Sequence, residues 1–211
     1  MNPTRSIRNL AAVLLGLAVA SPALADVTDP DWPCMQRKVP ELSLAQVWAG
    51  PQLPATAGNW ANDPDIARRV QDLSARRVPL QDAVQEIKDF AASLPADQLM
   101  PKMTMLEQGL FDHMNAERSN IIDGITRYAR KQIELATELR NEASQVDDME
   151  DNKKTDPKVL SQRQDQLAWG TRIFQERVKS LTYVCEVPTI IEQRLYQLSK
   201  AVADTLAEKK K

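Results

Sequence analysis

The sequence has few of the residues from which most active sites are built. Its 211 residues include one histidine, two cysteines and six glycines. Nucleophilic catalysis needs a base beside the nucleophile, and His113 has no serine or cysteine partner at motif spacing. The sequence also lacks a glycine-rich phosphate loop, a nucleophile elbow and an HExxH motif. We therefore predict that the chain is not an enzyme and uses no cofactor.

Aromatic residues are scarce too, at 5% of the chain, whereas Ala, Leu, Gln, Glu, Lys and Arg are abundant. This composition favours helices and disfavours β-sheet. A large excess of one charge is also missing, because 27 basic residues stand against 29 acidic ones. Nucleic-acid binding requires a dense basic surface, so nucleic acid is not expected as a partner.

The first 25 residues have the three parts of a secretory signal peptide. Arg5 and Arg8 precede an apolar run over residues 10–20, and residues 23–25 form the small-x-small pattern that signal peptidase recognises. The run is shorter than the roughly 20 residues that a membrane span requires. We expect a cleaved signal peptide over 1–25, a periplasmic mature protein that starts near Asp26, and no membrane span in that mature form.

The two cysteines have no partners at the spacing of a redox, haem or zinc motif. In an oxidising compartment, a single pair most simply forms one disulfide. We therefore predict a Cys34–Cys185 disulfide. It would close a loop of about 150 residues and stabilise the fold by roughly 4 to 5 kcal/mol, if loop entropy alone is counted.

Residues 26–64 differ from the rest because they hold six prolines and three of the four tryptophans. Prolines at this density prevent a long helix, so we predict an extended strap over a helical body, with one short helix at 44–48. The tryptophans are Trp32, Trp48 and Trp60. They are either anchors that bury large areas against the body or an aromatic strip that binds a partner.

From residue 65 to residue 211 the apolar spacing is helical. One short helix is predicted to start at 65 and another at Pro79, because proline suits the first turn of a helix. Two longer stretches follow, over 103–146 and 160–206, in which apolar residues lie three, four and seven positions apart. That spacing is typical of a coiled-coil seam.

The two long helices have matched lengths and a short acidic loop between them, so we expect them to fold back on each other. With the turn near Asn152, Gly124 should lie near Ser180, and Gly170 near Glu134.

The predicted fold class is therefore all-α. A long antiparallel, coiled-coil-like helical hairpin carries two shorter helices on its base, and the extended strap lies over it. Pro188 is expected to kink or restart the last helix. The shorter helices reach only part of the hairpin, so residues 125–180 should project as an arm.

One cluster of side chains has the chemistry of a soft-metal site, because thioether sulfurs suit Cu(I). Its members are Met100, Met103, Met105, His113 and Met114. Met103 also fits the packing seam, and methionine is a common filler of such cores. Copper binding and core packing are thus both open for this cluster.

Two short segments, LSLAQ at 42–46 and LSQRQ at 160–164, resemble the LTxxQ motif of small periplasmic stress chaperones and metal sensors, which are also helical hairpins. The resemblance covers ten residues. A serine followed three residues later by glutamine is also a helix capping box. The predicted disulfide and proline-rich strap do not fit that family, and we assign no membership.

Together these features predict a non-enzymatic periplasmic interaction module, such as an accessory subunit, an adaptor or a holdase. It would bind an envelope or periplasmic protein, with homo-oligomers as a further option. The alternative is a periplasmic copper-binding or metal-sensing protein that uses the methionine cluster.

Overall fold

The computed structural model describes residue 29 and residues 31–209, and the predicted signal peptide lies outside them. In this part of the chain, five α-helices (α1–α5) and one 3₁₀ helix between α1 and α2 follow each other. In chain order their bounds are Leu44–Val47, Ala55–Asn62, Pro64–Ser74, Leu80–Ser93, Ala96–Asp151 and Pro157–Glu208. The predicted all-α class is confirmed for these residues.

The two long helices, α4 and α5, pack along each other as the predicted antiparallel hairpin. α5 begins where the sequence indicates, because Asp156 Oδ1 accepts a hydrogen bond from the Lys158 backbone N–H at 2.8 Å. α4 is longer than predicted, since it begins at Ala96 and takes in the acidic residues 147–151. Pro101 is tolerated inside it because only one backbone hydrogen bond is lost, close to the helix end.

α5 runs without interruption through Pro188, so of the predicted kink or restart the restart does not occur. Proline cannot donate to the carbonyl one turn earlier, and its ring disturbs that turn. In this turn the carbonyl of Cys185 accepts a hydrogen bond from Nε2 of Gln36 in the strap. A side chain of the strap therefore supplies a donor next to the proline.

The turn of the hairpin lies later than predicted, because the acidic residues join α4. A Cβ atom on Gly170 would lie 2.9 Å from Leu139 Cδ2, so Gly170 faces Leu139 and not Glu134. Nearer the base, Gly124 and Ser180 line one cavity, as predicted.

The shorter helices pack on the end of the hairpin that holds the C-terminus, as expected, with α2 against α4 and α3 against α5. A Cβ atom on Gly109 would lie 2.6 Å from Val70 Cγ2, so glycine permits the close approach of α2 to α4. The largest side chains buried in this four-helix base include Ile66, Leu73, Ile87, Met103, Leu106, Leu110, Met114, Ile191, Leu195 and Leu198.

The strap follows α4 in the antiparallel direction. Its early residue Asp31 pairs with Arg130, while the later Leu42 backbone N–H donates to Asn115 Oδ1 at 3.0 Å. Between them, Arg118 Nη1 donates to a strap carbonyl at 2.7 Å. The contacts of Asn115 and Arg118 satisfy backbone groups of the strap.

The predicted Cys34–Cys185 disulfide is present, with the two Cα atoms 5.6 Å apart. It joins the strap to α5, while the polar contacts join the strap to α4. The strap therefore ties the two long helices together.

Among residues 29 and 31–209, no helix has the length and hydrophobicity needed to span a bilayer.

Candidate interaction surface

Apolar side chains are covered to different extents in the base and in the arm, which we define as residues 125–180. In the base, the leucines of the seam have essentially no exposed surface. They are Leu106, Leu110, Leu195 and Leu198. In the arm, Ile125 and Val146 of α4 are buried, but no α5 residue from 157 to 180 is, and most other seam side chains are only half-buried. These include Leu135, Leu139, Leu160, Leu167 and Phe174.

Geometry explains this difference. Two helices can cover each other's seam only along the line of contact, whereas a third and a fourth helix close the remaining sides. α2 and α3 provide that cover in the base, and the core that they share with α4 and α5 contains no residue from 125 to 180.

A cavity of about 410 Å³ opens between α4 and α5 at the root of the arm. Gly124 on α4 and Ser180 on α5 are small, so the two helices leave a depression between them. We call it the root groove. Its larger apolar walls are Ile121, Ile125, Tyr128, Leu181 and Val184.

A second depression of about 460 Å³ lies along the outer side of α5. We call it the arm face, and its residues are Trp169, Arg172, Ile173, Glu176, Arg177 and Ser180. Trp169 is 65% exposed there. Because Ser180 also lines the root groove, the two depressions form one continuous surface from the middle of the arm to its root.

The strap leaves this surface open. Arg130 holds strap residue Asp31 with an Nε–Oδ2 distance of 2.6 Å, whereas Tyr128 lines the root groove. Residues 128 and 130 are two positions apart on α4, so their side chains point about 200° apart around the helix axis. The strap and its disulfide thus lie on one side of the hairpin, and the root groove opens on the other.

The three strap tryptophans make contacts within the protein. Trp60 Nε1 donates to Asp112 Oδ2 at 2.9 Å. The ring of Trp60 also packs against Gly109, where an added Cβ would lie 2.9 Å from its Cδ2. Trp48 and Trp32 donate to strap carbonyls at 2.8 and 2.6 Å. Trp60 and Trp48 also pack against the core, which supports their role as anchors, whereas the bond of Trp32 stays within the strap. Partner binding by the three tryptophans stays a prediction.

The methionine cluster is divided between the core and the surface. Met103 and Met114 are fully buried, Met105 and His113 are half-buried, and Met100 is 38% exposed. Eleven residues of helix separate Met103 from Met114, which is about 16 Å along the axis. Among the described residues, no three His, Cys, Asp or Glu side chains are grouped as metal ligands. Copper binding by the methionines stays a prediction.

Three charged side chains are buried in the base, namely Arg118, which donates to the strap, Glu107 and Arg194. Glu107 Oε1 accepts a hydrogen bond from Ser199 Oγ at 2.8 Å, and burial raises the pKa of Glu107 to about 7. Arg194 donates from Nε and Nη2 to the carbonyl of Leu73 at 3.0 and 2.7 Å, and desolvation lowers its pKa. These contacts connect α4 and α2 to α5.

Trp169 and the root groove are not among the residues singled out from the sequence. A signal was present, because Trp169 follows the seam residue Leu167 by two positions, about 200° around a helix. A large aromatic residue placed off the seam of a two-helix arm is expected to face solvent.

Comparison with protein-family models, curated proteins and solved structures finds no match to this chain.

Proposed function

We propose that this protein is a non-enzymatic interaction module of the bacterial periplasm, and that its arm binds a protein partner. The observation that carries this proposal is the continuous surface from Trp169 to the root groove, in which the exposed Trp169 and the apolar walls of the groove stand beside charged side chains of the arm face. Extended apolar surface of this kind marks interaction sites in soluble proteins.

The base and the strap suit this function because they fix the two helices at the root of the arm. The disulfide joins the strap to α5, and Arg118 and Asn115 join it to α4. A surface that is already ordered loses less conformational entropy on binding than a flexible segment would. An accessory subunit, an adaptor and a holdase each require such a presented surface.

The periplasmic location is supported by two features of different kinds. The N-terminal sequence has the form of a signal peptide, and disulfides persist in oxidising compartments such as the periplasm.

Affinity capture from native periplasm tests the proposal. We expect the wild-type protein to retain an envelope protein in stoichiometric amount. Trp169→Ala and deletion of residues 131–175 should each abolish this retention. Tyr196→Ala is the matched control, since Tyr196 is an aromatic residue of α5 that is 48% exposed but lies in the base. Retention of the same partner by the protein without its arm would contradict the proposal.

A further inference from the structure

We propose, building on the docking role of the arm, that the arm also binds the arm of a second copy of this chain. The two arms would pair in antiparallel fashion about a two-fold axis near Trp169.

Charge along the arm is arranged for this pairing. The half next to the base, residues 125–138 and 171–180, holds six basic and three acidic residues. The half at the tip, residues 139–170, holds five basic and seven acidic residues. Antiparallel pairing places each acidic tip against the basic half of the other copy, whereas parallel pairing places like charges together.

The strongest contrast lies between two short stretches. Residues 141–151 of α4 hold five acidic residues and no basic one. Residues 171–180 of α5 hold Arg172, Arg177 and Lys179 against one acidic residue, Glu176. Arg172 and Arg177 both belong to the arm face. The acidic stretch of one copy therefore meets the arm face of the other.

The centre of the arm carries the residue expected at a two-fold axis. A symmetric interface brings the same residue of both copies together at its axis. Gly170 faces Leu139 near the middle of the arm, and the neighbouring Trp169 is 65% exposed. Tryptophans near the centre of an interface often contribute most of the binding energy. In the dimer, the two Trp169 side chains lie at the two-fold axis, and each one packs beside the arm face of the other copy.

Pairing also covers the arm face. Two hairpins side by side make a four-helix arrangement. Trp169 and Ile173, which line the arm face of one copy, would be covered in the pair. The paired stretch is about 40 Å long, given 26 residues of helical rise from 125 to 151.

Sedimentation equilibrium of the oxidised protein, from about 1 to about 100 μM, measures this association as a dissociation constant. Trp169→Asp should abolish the dimer. Tyr196→Asp, an equivalent change on the base, should leave it intact.

Charge reversal tests the antiparallel arrangement. The tip variant carries Asp147→Lys and Asp148→Lys, and the face variant carries Arg172→Glu and Arg177→Glu. Each variant alone should lose at least about tenfold in affinity, because like charges then meet at both ends of the pair. An equimolar mixture should recover dimers that contain one copy of each variant, since opposite charges meet again at both ends. Thermal unfolding of each variant confirms that the base remains folded.

Two outcomes would overturn the self-pairing. One is a wild-type protein that stays monomeric at about 100 μM. The other is a wild-type dimer that persists in Trp169→Asp, or that does not form again when the two charge-reversal variants are mixed.

If the protein stays monomeric but still captures an envelope protein through Trp169, self-pairing is wrong and the proposed function stands. If the arm pairs with itself but captures nothing else, the pairing stands and a separate partner for the arm is wrong.

Discussion

Glu107 has no exposed surface, and its environment makes the stability of the base depend on pH. Burial raises the pKa of its carboxyl group from 4.5 to about 7, although the hydrogen bond from Ser199 acts in the opposite direction. The folded protein therefore holds this proton more tightly than the unfolded chain does. The stability that the protonated group contributes is fully present below about pH 4.5 and declines as the pH rises to about 7.

Glu107→Gln should remove this pH dependence, because the amide does not titrate. Relative to the wild type, the variant should gain up to about 3 kcal/mol of stability between about pH 4.5 and about pH 8, since one pKa unit corresponds to about 1.4 kcal/mol. Urea unfolding at the two pH values measures the difference. Glu208→Gln, at an exposed position, should leave the wild-type dependence intact. An equal dependence in the wild type and in Glu107→Gln would contradict this assignment.

Gly109 and Gly124 both lie inside α4, but their surroundings differ. A Cβ at Gly109 would meet Val70 Cγ2 at 2.6 Å, while at Gly124 the nearest atom is Arg127 Nη2 at 3.8 Å. We expect Gly109→Ala to destabilise the protein by about 1–3 kcal/mol through overpacking. Gly124→Ala should stabilise it by about 0.5–1 kcal/mol, because alanine favours the helix. Urea unfolding compares the two, and a stabilised Gly109→Ala would show that α2 does not pack closely on α4.

Met100 and Met103 give the copper hypothesis its own test. Met103 is fully buried in the base, so replacement by the similar-sized leucine should change stability by less than about 1.5 kcal/mol. If the methionines only fill the core, the wild type and the double variant Met100→Leu/Met103→Leu should contain equally little copper. Metal analysis of protein from copper-supplemented cells measures the copper content. Copper bound by the wild type and lost in the variant would favour the copper-binding alternative.

At the scale of the elements, the disulfide joins a strap of little regular structure to α5 across 151 positions of sequence. Closing so long a loop lowers the entropy of the unfolded chain and contributes up to about 5 kcal/mol. We expect Cys34→Ala, Cys185→Ala and the double variant to unfold at the same reduced temperature. Thermal unfolding monitored by circular dichroism measures it. Two reactive thiols in protein taken from the periplasm would contradict the pairing.

The helices could be predicted from sequence because their signals are local. Apolar spacing and capping residues such as Asp63 and Asp156 indicate where α2 and α5 begin. The early start of α4 was missed because Pro101 suggests a boundary, yet a proline near a helix end removes only one hydrogen bond. The register was misjudged because residues 147–151 lack apolar side chains but still continue the helix.

The path of the strap and the open surface were harder to predict, because both depend on contacts between distant residues. Nothing in the sequence around Leu42 indicates that its backbone N–H pairs with Asn115. Similarly, Gly124 and Ser180 line one groove only because the hairpin brings α4 and α5 together. Even so, the fourth tryptophan, placed off the seam of an exposed arm, was a usable signal.

At the scale of the whole molecule, the protein divides into a covered base and an uncovered arm on the same pair of helices. The base is closed by α2, α3 and the strap, so its amides should exchange slowly with solvent. The arm has only two helices, and much of its seam is only half-buried. Its amides should exchange faster until a partner covers them.

Hydrogen exchange, followed by mass spectrometry in dilute protein and in the partner-bound or concentrated state, tests this division most directly. We expect fast exchange over residues 125–180 in the dilute protein, and clear protection of that stretch alone once the arm is occupied. Arm amides that are as protected as those of the base in the dilute protein, with no change on binding, would show that the arm is not the docking surface.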